Sequence, residues 1–331
     1  MAELASGRLR RLAEELEENG LAMQGSRSSF EMLLEEIDRA LRPDVHERRV
    51  VSSGTILDPT TDPSTWEAEA ELEIGRRQLD RQPLGAARRF TDGLSSWLLR
   101  SPGGVTEWLV FDRPAGSERD LVVLAGVLGA TIVQRHPTGS VRVVGDFGVL
   151  RWNGLDWHLE PPVAKWMEVI TPSADHGDPK VLRAVLEFAV HDLGSRGIGS
   201  LLVYRPGQGE GPVVEERLPV PLPLRIRKAA HLAPLRHALA QVDGAAIFDA
   251  AGELQKLGVR LIPSKAAEAT VEPLGGTRHT SGRRYSYDDP LATVIAVSED
   301  GPVSVLRNGD VFGQPIARLA ANPRRLFGEH D

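Results

Sequence analysis

The feature that most constrains the fold is a change of hydrophobic period in the second half of the chain. Val181, Leu182, Val185, Leu186, Ala189, Val190 and Leu193 recur at helical spacing. Gly194 to Gly199 stops that helix, and Ser200-Leu201-Leu202-Val203-Tyr204 follows as a short strand, expected to be buried. Ile226 to Leu239 reads as helical in part, with a break or restart at Pro234. Ala245 to Phe248 and Gly258 to Ile262 read as strands separated by a turn at Ala250-Gly252. His279 to Tyr287 begins a helix or helical turn limited by Pro290; Thr293 to Val297 and Pro302 to Arg307 are strands around Glu299-Asp300-Gly301. Asn308-Gly309 is a tight turn. Helices alternating with single strands and ending in a hairpin predict an α/β fold, a mixed central sheet flanked by helices.

The first half has a different texture and is expected to form an N-terminal α+β extension. Met1 to Asn19 reads as a helix, and Ser29 to Leu41 as a second one capped by Ser29. Val51 to Ser64 is loop-like, rich in Ser, Thr, Asp and Pro, and Trp66 to Gln78 is open to strand or helix. From Glu107 onward Trp108 to Phe111, Ala130 to Gln134, Val141 to Val144, Gly148 to Trp152 and Trp157 to Leu159 read as strands. Asp120 to Leu128 is open between strand and short helix, and Asn153-Gly154 reads as a two-residue turn. Trp152 and Trp157 are expected to pack the sheet rather than cage a ligand. The expected division is a helical region over 1–100, an antiparallel β-rich module over 101–170, the α/β domain over 171–317 and a tail over 318–331.

Composition sets outer bounds. A chain of 331 residues with 41% apolar content can bury two cores, or one large core with an extension. A net charge of -7 provides no bulk drive toward nucleic acid. The absence of cysteine excludes disulfides, zinc–thiolate sites and iron–sulfur clusters. The first twenty residues carry Glu3, Arg8, Arg10, Arg11, Glu14, Glu15, Glu17 and Glu18 with no apolar signal core. No later window reaches the unbroken apolar length of a membrane span, so the cytoplasm is the expected compartment.

Two polar clusters carry the chemistry. Asp243-Gly244-Ala245 opens a strand, and Gly275-Gly276-Thr277-Arg278-His279 is a glycine-led loop ending in a cation and an imidazole. A buried carboxylate able to hold a divalent metal, facing a basic loop, suits a nucleoside triphosphate. Arg supplies bidentate phosphate contacts. Each piece also has an ordinary use: Asp-Gly marks turns, paired glycines make flexible loops, and His279 suits a helix start or a satisfied core position. Arg283 and Arg284 add positive potential or form a solvated face; Ser298-Glu299-Asp300 brings an acid to a strand end or is a hairpin turn. Gly207-Gln208-Gly209-Glu210-Gly211 lacks the Lys-Ser/Thr ending of a phosphate loop. There is no His-Glu-x-x-His pattern, nucleophile elbow or kinase signature.

Over 175–315 the assembled pattern resembles the diadenylate cyclase (DAC) domain, the catalytic module of bacterial enzymes that make cyclic di-AMP from two ATP molecules. Gly199-Ser200-Leu201-Leu202-Val203 is similar to that family's glycine-led first core strand. Asp243-Gly244-Ala245 is identical to its acidic motif, Gly276-Thr277-Arg278-His279 matches its nucleotide-binding loop, and Val297-Ser298-Glu299 resembles its later strand end. The resemblance implies Asp243 as the carboxylate of a catalytic Mg2+ or Mn2+, Thr277 and Arg278 as phosphate contacts, and His279 as their partner. It also implies Gly244, Ala245, Gly276, Ser298 and Glu299 around the nucleotide, with Leu261 near adenine. ATP is then the substrate, and self-association is required because two sites must face each other; neither membrane nor nucleic acid is an expected partner. The sequence departs from the family at position 280, a Thr where the usual loop continues Arg-His-Arg, and Arg283 or Arg284 would have to supply that charge from the next turn. The alternatives are a catalytically degenerate nucleotide sensor and, more weakly, a structural α/β scaffold.

Overall fold

Helical and strand periods over the second half do build one mixed sheet, while the first half holds a second sheet that its sequence signals only in part. The computed structural model describes residues 7–21, 27–43, 45–46, 49–79, 83–102, 106–170, 177–207, 211–273, 276–299 and 302–312. Met1 to Ser6, the middle of the 207–211 loop, Gly275, Asp300-Gly301 and the tail over 318–331 lie outside these residues. The chain divides into two compact units, Met1–Pro162 and Val163–Asp331. No helix among the described residues is long and apolar enough to cross a membrane.

The first unit opens with α1 (Gly7–Glu18) and α2 (Arg27–Leu41), then the short pair β1 (Val45–His46) and β2 (Arg49–Val50). β3 (Ser53–Leu57), α3 (Trp66–Ala70), β4 (Ile74–Gln78) and α4 (Leu84–Ala87) follow, then β5 (Ser96–Arg100) and β6 (Thr106–Phe111). α5 (Glu118–Leu128) precedes β7 (Thr131–Arg135), β8 (Val141–Gly145), β9 (Gly148–Trp152) and β10 (Trp157–Glu160). The eight-stranded sheet has the order β10-β9-β8-β7-β3-β5-β6-β4. One face packs on α1 and α2 through Leu12, Leu16, Leu34 and Ile37 against Val143, Leu150 and Trp157. The other buries Trp66, Trp97, Leu121 and Leu124 beneath α3 and α5.

Several expectations are corrected here. The loop-like segment 51–64 contains β3, a central strand between β7 and β5. Its polar residues concealed it: Thr55 is buried because its hydroxyl donates to the buried Glu36 carboxylate at 3.0 Å. Residues 1–100 are not a separate helical region, since β3, β4 and β5 share one sheet with β6 to β10. Ser29 lies inside α2, where its hydroxyl donates to Asp58 at 2.7 Å instead of capping the helix. Asn153-Gly154 belongs to a four-residue loop over 153–156, in which the Asn153 side-chain oxygen accepts from the Leu155 and Asp156 amides. Trp66 to Gln78 divides into a helix and a strand, and residues 118–128 are helical, with a Ser117/Asp120 capping box. Trp152 and Trp157 face each other across β9 and β10 with ring centroids 5.3 Å apart, and Trp157 is buried.

The second unit begins with α6 (Val163–Ile170) and α7 (Pro179–Glu187), which runs on through a wider turn to Leu193. β11 (Ser200–Tyr204), β12 (Val214–Glu215), α8 (Ala229–Leu239), β13 (Ala245–Phe248) and β14 (Leu254–Leu261) follow. Then come α9 (Lys265–Thr270), α10 (Thr277–Asp288), β15 (Thr293–Val297), β16 (Val303–Arg307) and β17 (Asp310–Phe312). The seven-stranded sheet is ordered β12-β14-β13-β11-β15-β16-β17, with β11 and β13 parallel and the other neighbours antiparallel. Alternate residues of β11 divide between the faces. Leu202 and Tyr204 meet α6 and α7 in one core, whereas Leu201 and Val203 meet Tyr285 of α10 in the other. α8 runs through Pro234 without a break, so the expected restart is absent. Asn308 and Gly309 both have positive φ, the geometry of the two-residue turn that joins β16 to β17.

Candidate functional site

The register of the second sheet gathers three chain segments at one end. β11 and β13 run parallel with Leu201 opposite Ala245, so Gly199 and Asp243-Gly244 approach the sheet side by side. β15 runs the other way with Val297 opposite Ser200, which brings Ser298 and Glu299 to the same end. α10 lies across this face, close enough that a Cβ at Gly282 would come within 2.7 Å of Leu306 and 3.2 Å of Leu201. Its first turn therefore reaches the same place.

Local backbone demands explain the Asp243-Gly244 pair. Gly244 has φ +109°, and a Cβ there would lie 2.7 Å from the Gly258 carbonyl carbon. Beyond it the β13–β14 register shifts between Ala245 and Ile247, so the strands cross at an irregularity that only glycine accommodates. Asp243 immediately precedes this crossing and is exposed, which corrects the expectation of a buried carboxylate.

A cleft of about 680 Å³ opens at this end of the sheet. Asp243, Gly244 and Ala245 line it from one side, and Gly276, Thr277 and Arg278 from another. Leu261 is part of the wall, beside Leu201 and Val259. No side chain caps the N-terminus of α10, so its first-turn amides carry the partial positive charge of the helix dipole where Thr277 and Arg278 meet the cleft. Among the described residues four arginines, Arg217, Arg260, Arg278 and Arg284, line the cleft against the carboxylates Asp243 and Glu268. Arg217, Arg260 and Glu268 had no local signal in the sequence; the fold alone brings them here.

Glu299, Ser298 and His279, expected at the site, are not among the residues that line the cleft. Glu299 accepts from both terminal nitrogens of Arg278 at 3.2 Å, holding that guanidinium over Gly199. A Cβ at Gly199 would fall 2.4 Å from Arg278 Nη1 and 2.7 Å from Glu299 Cγ, so glycine leaves the space for this pair. Ser298 is occupied by the hairpin, its amide donating to the Pro302 carbonyl at 3.0 Å. His279 is half-buried with Nε2 3.2 Å from the Ser304 hydroxyl, tying the first turn of α10 to β16. Burial, then the neighbouring Arg278, holds the imidazole pKa below its ordinary value. The next turn is divided as well. Arg283 donates to the carbonyls of Gly309 and Glu272 and stays out of the cleft, while Arg284 lines it.

The donor set bears on metal binding. Among the described residues no group of three or more His, Asp or Glu side chains could enclose a metal ion. A single accessible carboxylate is what a nucleotide-borne cation needs, because Mg2+ in such sites is shared between one or two carboxylates and substrate phosphates. Asp243 fits that role, and the cleft is not a closed protein cage.

Residues 187–311 match the family model described as DisA bacterial checkpoint controller nucleotide-binding. This segment is a DAC domain. Residues 10–160, within the first unit, match the model described as probable sensor domain DACNK. The DAC domain contains the whole cleft end of the sheet, from β11 through β16, together with α10. Similar solved structures include a hypothetical membrane spanning protein from Bacillus cereus, 18% identical over 46% of this chain and 70% of that one, with a TM-score of 0.36. A double mutant of DacA from Staphylococcus aureus is 21% identical over 45% of this chain and 97% of that one, with a TM-score of 0.29. No curated protein matches the sequence.

Proposed function

We propose that this protein is a metal-dependent diadenylate cyclase that condenses two ATP molecules into cyclic di-AMP and releases two pyrophosphates. The observation that carries this reading is the convergence of Asp243, Thr277 and Arg278 on one cleft of about 680 Å³ within the DAC domain. That volume lies in the range of pockets that take one cofactor-sized ligand. One cleft then holds one ATP, and a product made of two requires the clefts of two subunits to face each other. The working unit is thus at least a dimer, and the cytoplasm, which supplies ATP, is its compartment.

In this reading Leu261 and its apolar neighbours hold adenine, and the amides and side chains of Thr277 and Arg278 bind the phosphates. Glu299 and His279 act through other groups, the first by holding Arg278 and the second by seating α10 on Ser304. Each ribose 3′-hydroxyl oxygen forms a bond to the α-phosphorus of the opposite ATP and gives up its proton to solvent water. The bond from that phosphorus to the bridging oxygen of pyrophosphate breaks. Arg278 stabilises the charge that grows on the phosphoryl oxygens. A Mg2+ or Mn2+ ion shared by Asp243 and the phosphates would supply Lewis-acid stabilisation of the same charge.

Incubating the purified chain with ATP and Mn2+ or Mg2+ should yield cyclic di-AMP and pyrophosphate, and Asp243→Asn should reduce turnover by at least about a hundredfold. Absence of product at high protein concentration sinks the cyclase reading. Thr280 favours a second reading, a degenerate nucleotide sensor, for which ATP binds saturably and no product forms.

A further inference from the structure

Among the described residues, the arginines of the cleft differ in whether an ion pair holds them. Arg217 and Arg260 both approach Glu215, at 3.5 Å and 3.7 Å, and Arg278 is paired with Glu299. Arg284 also lines the cleft and is half-buried, yet among the described residues no carboxylate pairs with it. Its Nε donates to the Val271 carbonyl at 3.3 Å, which steadies the side chain without neutralising it. A guanidinium withdrawn partly from water without a counter-charge is costly unless an anion arrives.

Helix geometry indicates where that anion sits. Cα–Cβ bonds tilt toward the helix N-terminus, so a side chain covers the surface above the preceding turn. Arg284 is four residues after Thr280 on the same face of α10, and Thr277, Thr280, Ser281 and Arg284 all line the cleft. The short neutral side chain of Thr280 leaves that stretch to the arginine. Arg284 thus extends the positive helix N-terminus, which no side chain caps, by one turn along the cleft wall.

We propose that Arg284 is a phosphate-binding residue of this cleft, contacting the polyphosphate of the nucleotide and supplying from the second turn of α10 the charge that position 280 lacks. The assignment rests on the nucleotide reading of the cleft but does not require turnover. Its test is isothermal titration of the full chain with α,β-methylene-ATP and Mg2+, a probe that cannot release pyrophosphate. Arg284→Ala should weaken binding about tenfold to a hundredfold, as expected for losing a charge-assisted contact to phosphate. Adding Thr280→Arg to that variant should recover much of the loss, which repair of a merely structural defect would not do. Wild-type affinity in Arg284→Ala, or a loss that Thr280→Arg leaves untouched, overturns the assignment. If the wild type makes no cyclic dinucleotide while Arg284→Ala still weakens the analogue, the cyclase reading fails and this one stands. If wild type and Arg284→Ala make cyclic dinucleotide with the same kcat/KM for ATP, this assignment fails and the cyclase reading stands.

Discussion

At the scale of single residues, small groups decide where the charged ones can go. Gly199 is an example: a methyl there would overlap the Arg278–Glu299 pair, so a residue without chemistry of its own sets the place of the guanidinium. His279 acts in the same indirect way, through Ser304. Because burial and Arg278 depress its folded pKa, the unfolded chain binds the proton more readily than the native one. The stability due to neutral His279 is therefore complete above its ordinary value of 6.5 and is lost as pH falls through the lower folded value. Urea midpoints measured from about pH 8 to about pH 5 should decline below that ordinary value, and His279→Asn should flatten the decline. An identical pH profile in the variant would show that His279 has no such role.

At the scale of elements, the crossing of β13 and β14 creates the carboxylate position. Gly244 and Gly258 face each other with positive φ, and the register shift beyond them lets Asp243 emerge at the cleft. Gly244→Ala would force a side chain into backbone and into a dihedral that L-residues avoid, so it should destabilise the fold by about 1–3 kcal/mol. Chemical denaturation reads that cost as a lower midpoint. The same variant should weaken binding of metal–ATP, because Asp243 moves with the crossing. α10 shows how partial the sequence signal was. A helix or helical turn was expected over His279 to Tyr287, but it starts at Thr277, which brings the end of the glycine-led loop into its first turn. The central strand β3 was missed because Ser53, Gly54 and Thr55 look like a loop until Glu36 offers Thr55 a buried partner.

At the scale of the whole molecule, two units each carry their own sheet and cores, and each contains the match to a different family model. The proposed reaction needs two clefts, which has a consequence in bulk kinetics. Turnover per subunit should rise with protein concentration until the dimer is saturated, while affinity for a single ATP analogue stays constant. Activity per subunit that is flat down to concentrations where sedimentation shows only monomer would rule out paired half-sites.

The sequence alone determined the α/β alternation of the second half, because hydrophobic period and turn residues act over short distances and survive without context. It also identified the acidic and basic clusters, whose residue types limit their chemistry wherever they end up. Only the tertiary structure decided which of those residues share a cleft, which do not line it, and that Arg284 rather than Arg283 does. Those outcomes depend on strand register, helix seating and backbone approach between segments far apart in the chain, and no local pattern encodes them.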